Sequence, residues 1–485
     1  MTSPTTTSEA PARKPQSLRA AWPALLALCL TMLVEMVDNS ILNIALPTIG
    51  RDLGASSTDL QWIVGAYSLT FGGLLMVGGT MGDKLGRRRT LLVGLVLFGL
   101  AGLSVLLVTT PAQLIIVRAL SGAFAAFIAP LTMSLLFRLF DLDELRTKAI
   151  GIITVVSMIG FAVGPTLAGI AIASWPWQAL LVLNAPVAAI AWLGVRFGVD
   201  KDDPADRRTG GTDIPGAVLS VASLGLLLYG FTAGVENRWT APLTVAVFAA
   251  GVVSLLGFIW RERTATDPML DLKLLALPTV SGSAILQTAT MTAMVGVMFV
   301  SAQLYQFAWG LTALQAGLAN LPFVIGMLAA SPFVDRAVAR FGHRAASIGG
   351  VGLVLISLVI WIFALSHGFI WCAIGMFVMT FGMRTVMTTG AVALMGALPE
   401  SHTSIGSALN DTAQELGNAV GVAIVGTIMA TVIGGTLPQG AWSSAMVAGF
   451  IHSQQISFTV LAGIVLVLGF IGVRTLTNSK ETEEH

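Results

Sequence analysis

Charge is what this sequence has least of. Only 11% of its 485 residues are Asp, Glu, Lys or Arg, against 55% that are hydrophobic. A soluble domain carries about 25% charged residues. The shortage runs the whole length of the chain, which excludes a soluble globular protein and implies an integral membrane protein. A net charge of +1 leaves no basic surface for nucleic acid. Cysteine is equally scarce. Cys29 and Cys372 both lie in apolar runs, too few for a disulfide framework and wrongly spaced for a metal site. The chain holds no P-loop, HExxH or nucleophile elbow. No enzyme class, cofactor or metal is therefore implied.

What the sequence does have is long hydrophobic runs. Residues 1–19 are polar, rich in Pro and Thr, and read as a disordered tail without the apolar core of a signal peptide. Taking about 20 apolar residues per span, fourteen candidate spans follow, from 20–46 to 456–475. The seventh and eighth, 214–234 and 242–260, stand apart from the rest. With the N-terminus inside and the spans alternating, 22 of the 26 Lys and Arg residues fall on the cytoplasmic side and only Arg51 and Arg238 opposite. That bias obeys the positive-inside rule and requires an even number of spans. Both termini are then cytoplasmic, including the short tail 476–485.

Within these spans a few carboxyl groups stand out. Asp38 lies in the first, with Glu35 one turn before it, and Asp411 and Glu415 lie i, i+4 apart in the thirteenth. A carboxylate at a helix centre costs roughly 2.5–3.5 kcal/mol on insertion scales, so such residues usually face a water-filled cavity and bind protons or cations. Burial favours the neutral acid and a nearby cation the charged one, and an acid poised between them can release a proton when a cationic ligand arrives. Two like charges at i, i+4 resist ionising together, which favours proton sharing or capture of a cation. Competing readings stay open: Asp38 bonded to Asn39 or Asn43, Glu35 near the helix wall, and Asp411 as a helix-start acid. Tyr305 and Trp309, with Gln303 and Gln306, can line a pocket offering cation–π contacts or form an interfacial aromatic belt.

One echo suggests duplication. Arg340-Phe-Gly342-His-Arg344 follows the tenth span as Lys84-Leu-Gly86-Arg-Arg88 follows the second. With 214–234 and 242–260 set aside as an insertion, these loops occupy matching places in two six-helix halves, as in many secondary transporters. The loop Gly79-Thr-Met-Gly-Asp83-Lys84-Leu-Gly86-Arg87-Arg88-Arg89 resembles the signature cytoplasmic motif of the major facilitator superfamily. Arg118 in span four is similar to that family's Arg-x-x-x-Gly pattern, with Ser121 where many relatives have Gln. Gly160-Phe-Ala-Val-Gly164-Pro165-Thr-Leu-Ala-Gly169 resembles its antiporter motif, with Ala168 in place of a Gly. Asp38 to Pro47, Trp175-Pro-Trp177, Leu183-Asn184-Ala-Pro186, Asp267-Pro-Met and Gln315-Ala-Gly317 are similar to the fourteen-span drug:proton antiporter branch. Gly65 departs from it, standing where quaternary-ammonium pumps often have an Asp, which puts dicationic substrates in doubt.

The resemblance implies an all-α integral membrane protein of the major facilitator fold, with fourteen helices in two six-helix bundles plus two inserted ones. The bundles would span 20–198 and 276–475, with the insertion in 199–275. It implies a monomeric proton-coupled antiporter of the cytoplasmic membrane, exporting cationic or amphipathic drugs and using no cofactor. Asp38, Glu35 and Arg118 would couple protons, and Asp411, Glu415, Tyr305 and Gln303 would bind substrate. Arg384, in span twelve, is a candidate to neutralise one of the acids. Gly79, Asp83, Gly86 and Arg87 would form a latch in which Asp83 meets a basic partner and a helix N-terminus. Gly160, Gly164, Pro165 and Gly169 would shape a gate. Two alternatives are an exporter dedicated to one metabolite or antibiotic, and a receptor or lipid-handling protein of the same fold without coupling.

Overall fold

A computed structural model describes residues 17–19, 21–140, 142–202, 213–237, 239–266, 268, 272–397, 403–433 and 442–476. The Asp267-Pro-Met fragment and most of both tails lie outside the described residues, except for Pro268. Those residues build helices α1 (Trp22–Leu53), α2 (Ser57–Leu85), α3 (Arg87–Ser104), α4 (Pro111–Ala125), α5 (Ala129–Leu139), α6 (Asp143–Ile172), α7 (Gln178–Val182) and α8 (Asn184–Gly198). They continue with α9 (Ile214–Asn237), α10 (Pro242–Thr264), α11 (Leu272–Leu275), α12 (Pro278–Gln303), α13 (Ala313–Leu318), α14 (Leu321–His367), α15 (Phe369–Gly396), α16 (Thr403–Ile433) and α17 (Ser444–Thr475). Helix is the expected answer for such a sequence, because hydrocarbon offers no partner to an unpaired backbone N–H or C=O. Eleven described helices or helix pairs are long and apolar enough to cross a membrane, and α6 and α9 contain shorter apolar stretches. Apolar side chains face outward around the perimeter, among them Leu107, Phe197 and Ile370. In water they would be a liability; in a bilayer they meet lipid.

The turns at one end of the bundle are closed by their own side chains. Ser56 with Asp59, Thr110 with Gln113, and Thr312 with Gln315 each form a reciprocal capping box. We refer to this as the Ser56 end and to the opposite one as the Gly86 end. At the Gly86 end, the chain passes from α2 to α3 through Gly86 alone, at φ 103°. The second half repeats the device. Residues Leu321–His367 run almost continuously but break at Gly342, at φ 79°. Both glycines of the sequence echo thus hold a left-handed backbone that other residues rarely adopt.

Several expected spans are interrupted. Span four divides at Phe127, whose N–H bonds the Phe124 carbonyl 3.1 Å away, before Pro130 in the first turn of α5. Gly78 on α2 accommodates that irregularity, because a Cβ there would strike the Ala126 carbonyl. Span six divides at Leu183 into α7 and α8. The last helix begins at Ser444 and not near 456, because Gln454 and Ser453, which depress the local hydropathy, are buried against neighbours.

Helices α1–α8 pack together, as do α12–α17. The inserted α9 and α10 pack on each other, and α9 leans on α2, with Val221 over Gly73. One large apolar core joins residues from α1, α2, α4 and α6 to α12–α17 at the Ser56 end. A separate core fills the first half toward the Gly86 end. Among the described residues the two halves thus share one large apolar core at the Ser56 end, while nearer the Gly86 end they meet through a small cluster in which Met76 of α2 packs on Val280, Leu394 and Leu409.

Candidate functional site

Asp38 sits midway along α1, fully buried. Arg118 of α4 reaches it, Nη1 donating to Oδ2 at 2.7 Å, with both side chains at most 2% exposed. The second oxygen, Oδ1, accepts from Asn184 Nδ2 at the start of α8, 2.5 Å away. Arg118 also donates through Nε to the Ile63 carbonyl at 3.4 Å, and its guanidinium lies 4.4 Å from the Tyr67 ring centre. The charge in hydrocarbon is thus matched and enclosed within the first half. The sequence anticipates a partner for Arg118, and the structure puts it on Asp38. The amide on Asp38 is that of Asn184; Asn43 leaves its own Oδ1 without a partner among the described residues, and the Asn39 side chain lies outside them. Nothing in sequence spacing points to a neutral amide 146 residues away.

Glu35 looks the other way. It is 2% exposed, its Oε2 has no hydrogen-bond partner, and it lies within electrostatic reach of Glu415 and Asp411 as well as Asp38. Glu415, on α16 of the second half, accepts through Oε1 from Asn418 Nδ2 at 2.9 Å, while its Oε2 is buried without a partner. Gly72 of α2 permits the approach, since a Cβ there would lie 2.9 Å from the Glu415 Cβ. Asp411, half-buried one turn earlier, accepts from Asn410 Nδ2 at 3.1 Å. Gln287 of α12 in turn bonds the Asn410 amide oxygen. The structure therefore brings Glu35, Asp411 and Glu415 together across the seam. Arg384 does not neutralise them: it makes no ion pair among the described residues, and its Nε is buried without a partner.

Tyr305 and Gln303 are not brought to the acids. Tyr305 sits in a π-helical turn, Leu304–Ala308, packed inside the second half against Phe369, with its hydroxyl 4.0 Å from Met376 Sδ. Gln303 Nε2 donates to its own helix at Phe299, 3.2 Å away. Their neighbour Gln306 is the one that crosses between halves, donating to the Ile44 carbonyl at 2.8 Å. Sequence reasoning noted Gln306 but gave it no crossing role.

The gate glycines divide their work. Gly160 and Gly164 seat α6 on Leu33 and Ser40 of α1. Gly169 faces the Ala313 carbonyl of α13, and a Cβ on Gly317 would come within 2.7 Å of the Pro165 carbonyl. Thr166 Oγ1 donates to the Gly317 carbonyl at 3.2 Å, and Thr427 Oγ1 to Gln61 Oε1 at 3.3 Å. These contacts close the Ser56 end. In the loop motif Asp83 takes Arg87 as its partner at 2.7 Å, and Gly79 lies over Pro130. The expected helix N-terminus is not Asp83's, however. Asp202, from the chain after α8, accepts from the N–H groups of Arg88 and Arg89 at 3.0 Å each. An acid after α8 gave no sequence signal of its own.

Comparison with known proteins places this architecture. Residues 28–304 match the Major Facilitator Superfamily. A puromycin resistance protein of Streptomyces alboniger is 32% identical over 92% of this chain and 89% of its own length. The multidrug efflux pump LfrA of Mycolicibacterium smegmatis is 32% identical over 84% of this chain and 81% of its own. The transporter PepTSo, at 11% identity, shares the fold with a TM-score of 0.68 over 97% of this chain and 99% of its own. The match spans more than half of the sequence and agrees with the helical architecture: this multi-pass membrane protein belongs to the major facilitator superfamily, in the branch that holds the drug-efflux pumps.

Proposed function

We propose that this chain exports cationic or amphipathic small molecules from the cytoplasm in exchange for protons. The observation that carries the reading is the meeting of buried carboxyls that make no ion pair among the described residues, Glu35 from one half and Glu415 from the other, beside the enclosed Asp38–Arg118 pair. Such a group can hold a proton or an organic cation, and competition between the two is all that exchange requires. Its position at the seam links occupancy to the relative placement of the halves. The names of the relatives, a multidrug efflux pump and an antibiotic resistance protein, support export as the direction.

The remaining elements follow from this reading. Dividing α14 at Gly342 and adding α6 and α9 to the eleven gives fourteen spans. Two halves, 20–198 and 276–475, then flank the inserted pair, in a monomer of the cytoplasmic membrane with both termini inside. On this reading the Ser56 end faces out, and the shared core and the bonds across it form the outer closure of an alternating-access cycle. Asp83, paired with Arg87, is the latch residue of the opposite end. Asp38 and Arg118 position the charge that Glu35 and the α16 acids exchange. Tyr305 and Gln303 act as packing, and Gln306 as part of the outer closure.

Purified protein in liposomes loaded with a pH-sensitive dye, challenged with a panel of cationic and neutral drugs, tests the proposal. A compound that moves protons through the wild type and not through Glu415→Gln supports it. Uphill drug movement by that variant at the wild-type rate would overturn the coupling. The second reading, export of a single antibiotic, is favoured by the puromycin resistance relative and predicts a response to one compound only.

A further inference from the structure

Away from the seam, a groove of about 520 Å³ lies between α3 and α8 on the outer wall of the first half. Its charged rim is formed by Arg88, Arg89, Lys201 and Asp202, and its floor by apolar side chains including Leu92, Val96 and Trp192. The rim charges are not equivalent. Asp202 is engaged in capping α3 and lies 3.7 Å from Arg138. The Arg88 guanidinium is spent on the carbonyls of Val195 and Arg196. Arg89 and Lys201 remain exposed, and among the described residues their side chains make no ion pair. The apolar floor runs from Leu92 to Leu97 along α3, about 8 Å at 1.5 Å per residue. Val93 and Val96 are half exposed there, and nothing in the fold covers them.

We infer that this groove seats one anionic phospholipid, its headgroup phosphate between Arg89 and Lys201 and an acyl chain along Val93, Val96 and Trp192. Two exposed cations that make no ion pair among the described residues, set at the end of an apolar trough, match a phosphodiester on a hydrocarbon tail. A soluble phosphate would leave the trough empty, and a zwitterionic lipid would bring a second cation to an already cationic rim. Basic groups near the membrane surface attract anionic lipid in just this way. The bound lipid would brace α8 where the chain leaves for the inserted helices, next to the Asp202 cap.

The test uses full-length protein, stripped of lipid in detergent and titrated with dioleoyl-phosphatidylglycerol or dioleoyl-phosphatidylcholine, with bound lipids counted by native mass spectrometry. The wild type should retain phosphatidylglycerol about tenfold better. Arg89→Gln with Lys201→Gln should remove that preference, and Val96→Trp, which fills the floor without touching charge, should weaken retention of both lipids. In parallel, phosphatidylglycerol brominated on its acyl chains should quench wild-type tryptophan fluorescence more than that of Trp192→Phe, a comparison that needs no charge variant to fold. Equal retention of the two lipids, a preference that survives the double substitution, or displacement by glycerol 3-phosphate alone would overturn the inference. So would quenching that is unchanged in Trp192→Phe.

Discussion

At the scale of single residues, the Asp38–Arg118 pair sets the sharpest expectation. Both groups are enclosed, so removing either partner leaves an uncompensated buried charge, which costs about 3–5 kcal/mol. Arg118→Gln or Asp38→Asn alone should therefore lower the melting temperature in detergent, and the Asp38→Asn/Arg118→Gln combination should recover much of it. Transport should stay absent in all three, because the neutral pair no longer positions charge beside Glu35. Recovery of uphill efflux in the double variant would remove Asp38 from the coupling scheme. Gly65 gives the opposite kind of prediction. It shares the α2 face that carries Gln61 and Gly72, and a Cβ there meets nothing within 4 Å. Gly65→Asp should fold and extend the substrate range toward dications, measured as new dication-triggered proton movement in liposomes. That Arg118 needs an acid was legible in the sequence, because an unpaired guanidinium in hydrocarbon is too costly. That Glu35 faces α16 was not, since helical spacing relates it only to its own helix.

At the scale of elements, the paired loops carry the argument. Gly86 and Gly342 each turn the chain between antiparallel helices at positive φ. Gly86 has an added constraint: a Cβ would press into the Asp202 carboxylate, 2.8 Å from its Cγ. Gly86→Ala should therefore cost more than the roughly 1 kcal/mol of backbone strain that a positive φ imposes on any side chain, the strain common to both turns. Thermal unfolding of Gly86→Ala, with and without Asp202→Ala to remove the clash, checks the added cost. The echo between the two loops was readable because glycine and basic residues recur at matching spacing. The Asp202 cap was not, because an acid in a polar linker looks like any solvated charge. Breaks within helices were equally hidden: hydropathy registers a long apolar run whether or not its backbone kinks at Phe127 or Leu183.

At the scale of the whole molecule, the large core shared by the two halves is concentrated at the Ser56 end, and only a small cluster bridges them nearer the other. Alternating access requires the Ser56 end to part. Cysteines placed at Gln61 and Thr427, whose side chains touch at 3.3 Å, should cross-link readily and stop transport, and reduction should restore it. The native Cys29 and Cys372 are buried and should not interfere. Undiminished transport by the cross-linked protein would show that this end never opens. The closure has one more property. Gln306 and Thr166 reach across to the carbonyl oxygens of Ile44 and Gly317, not to side chains. A bond to the main chain is indifferent to the side chain on the receiving residue. Position 44 can therefore vary among apolar residues, adjusting the packing around it, while the seal across it keeps the same acceptor.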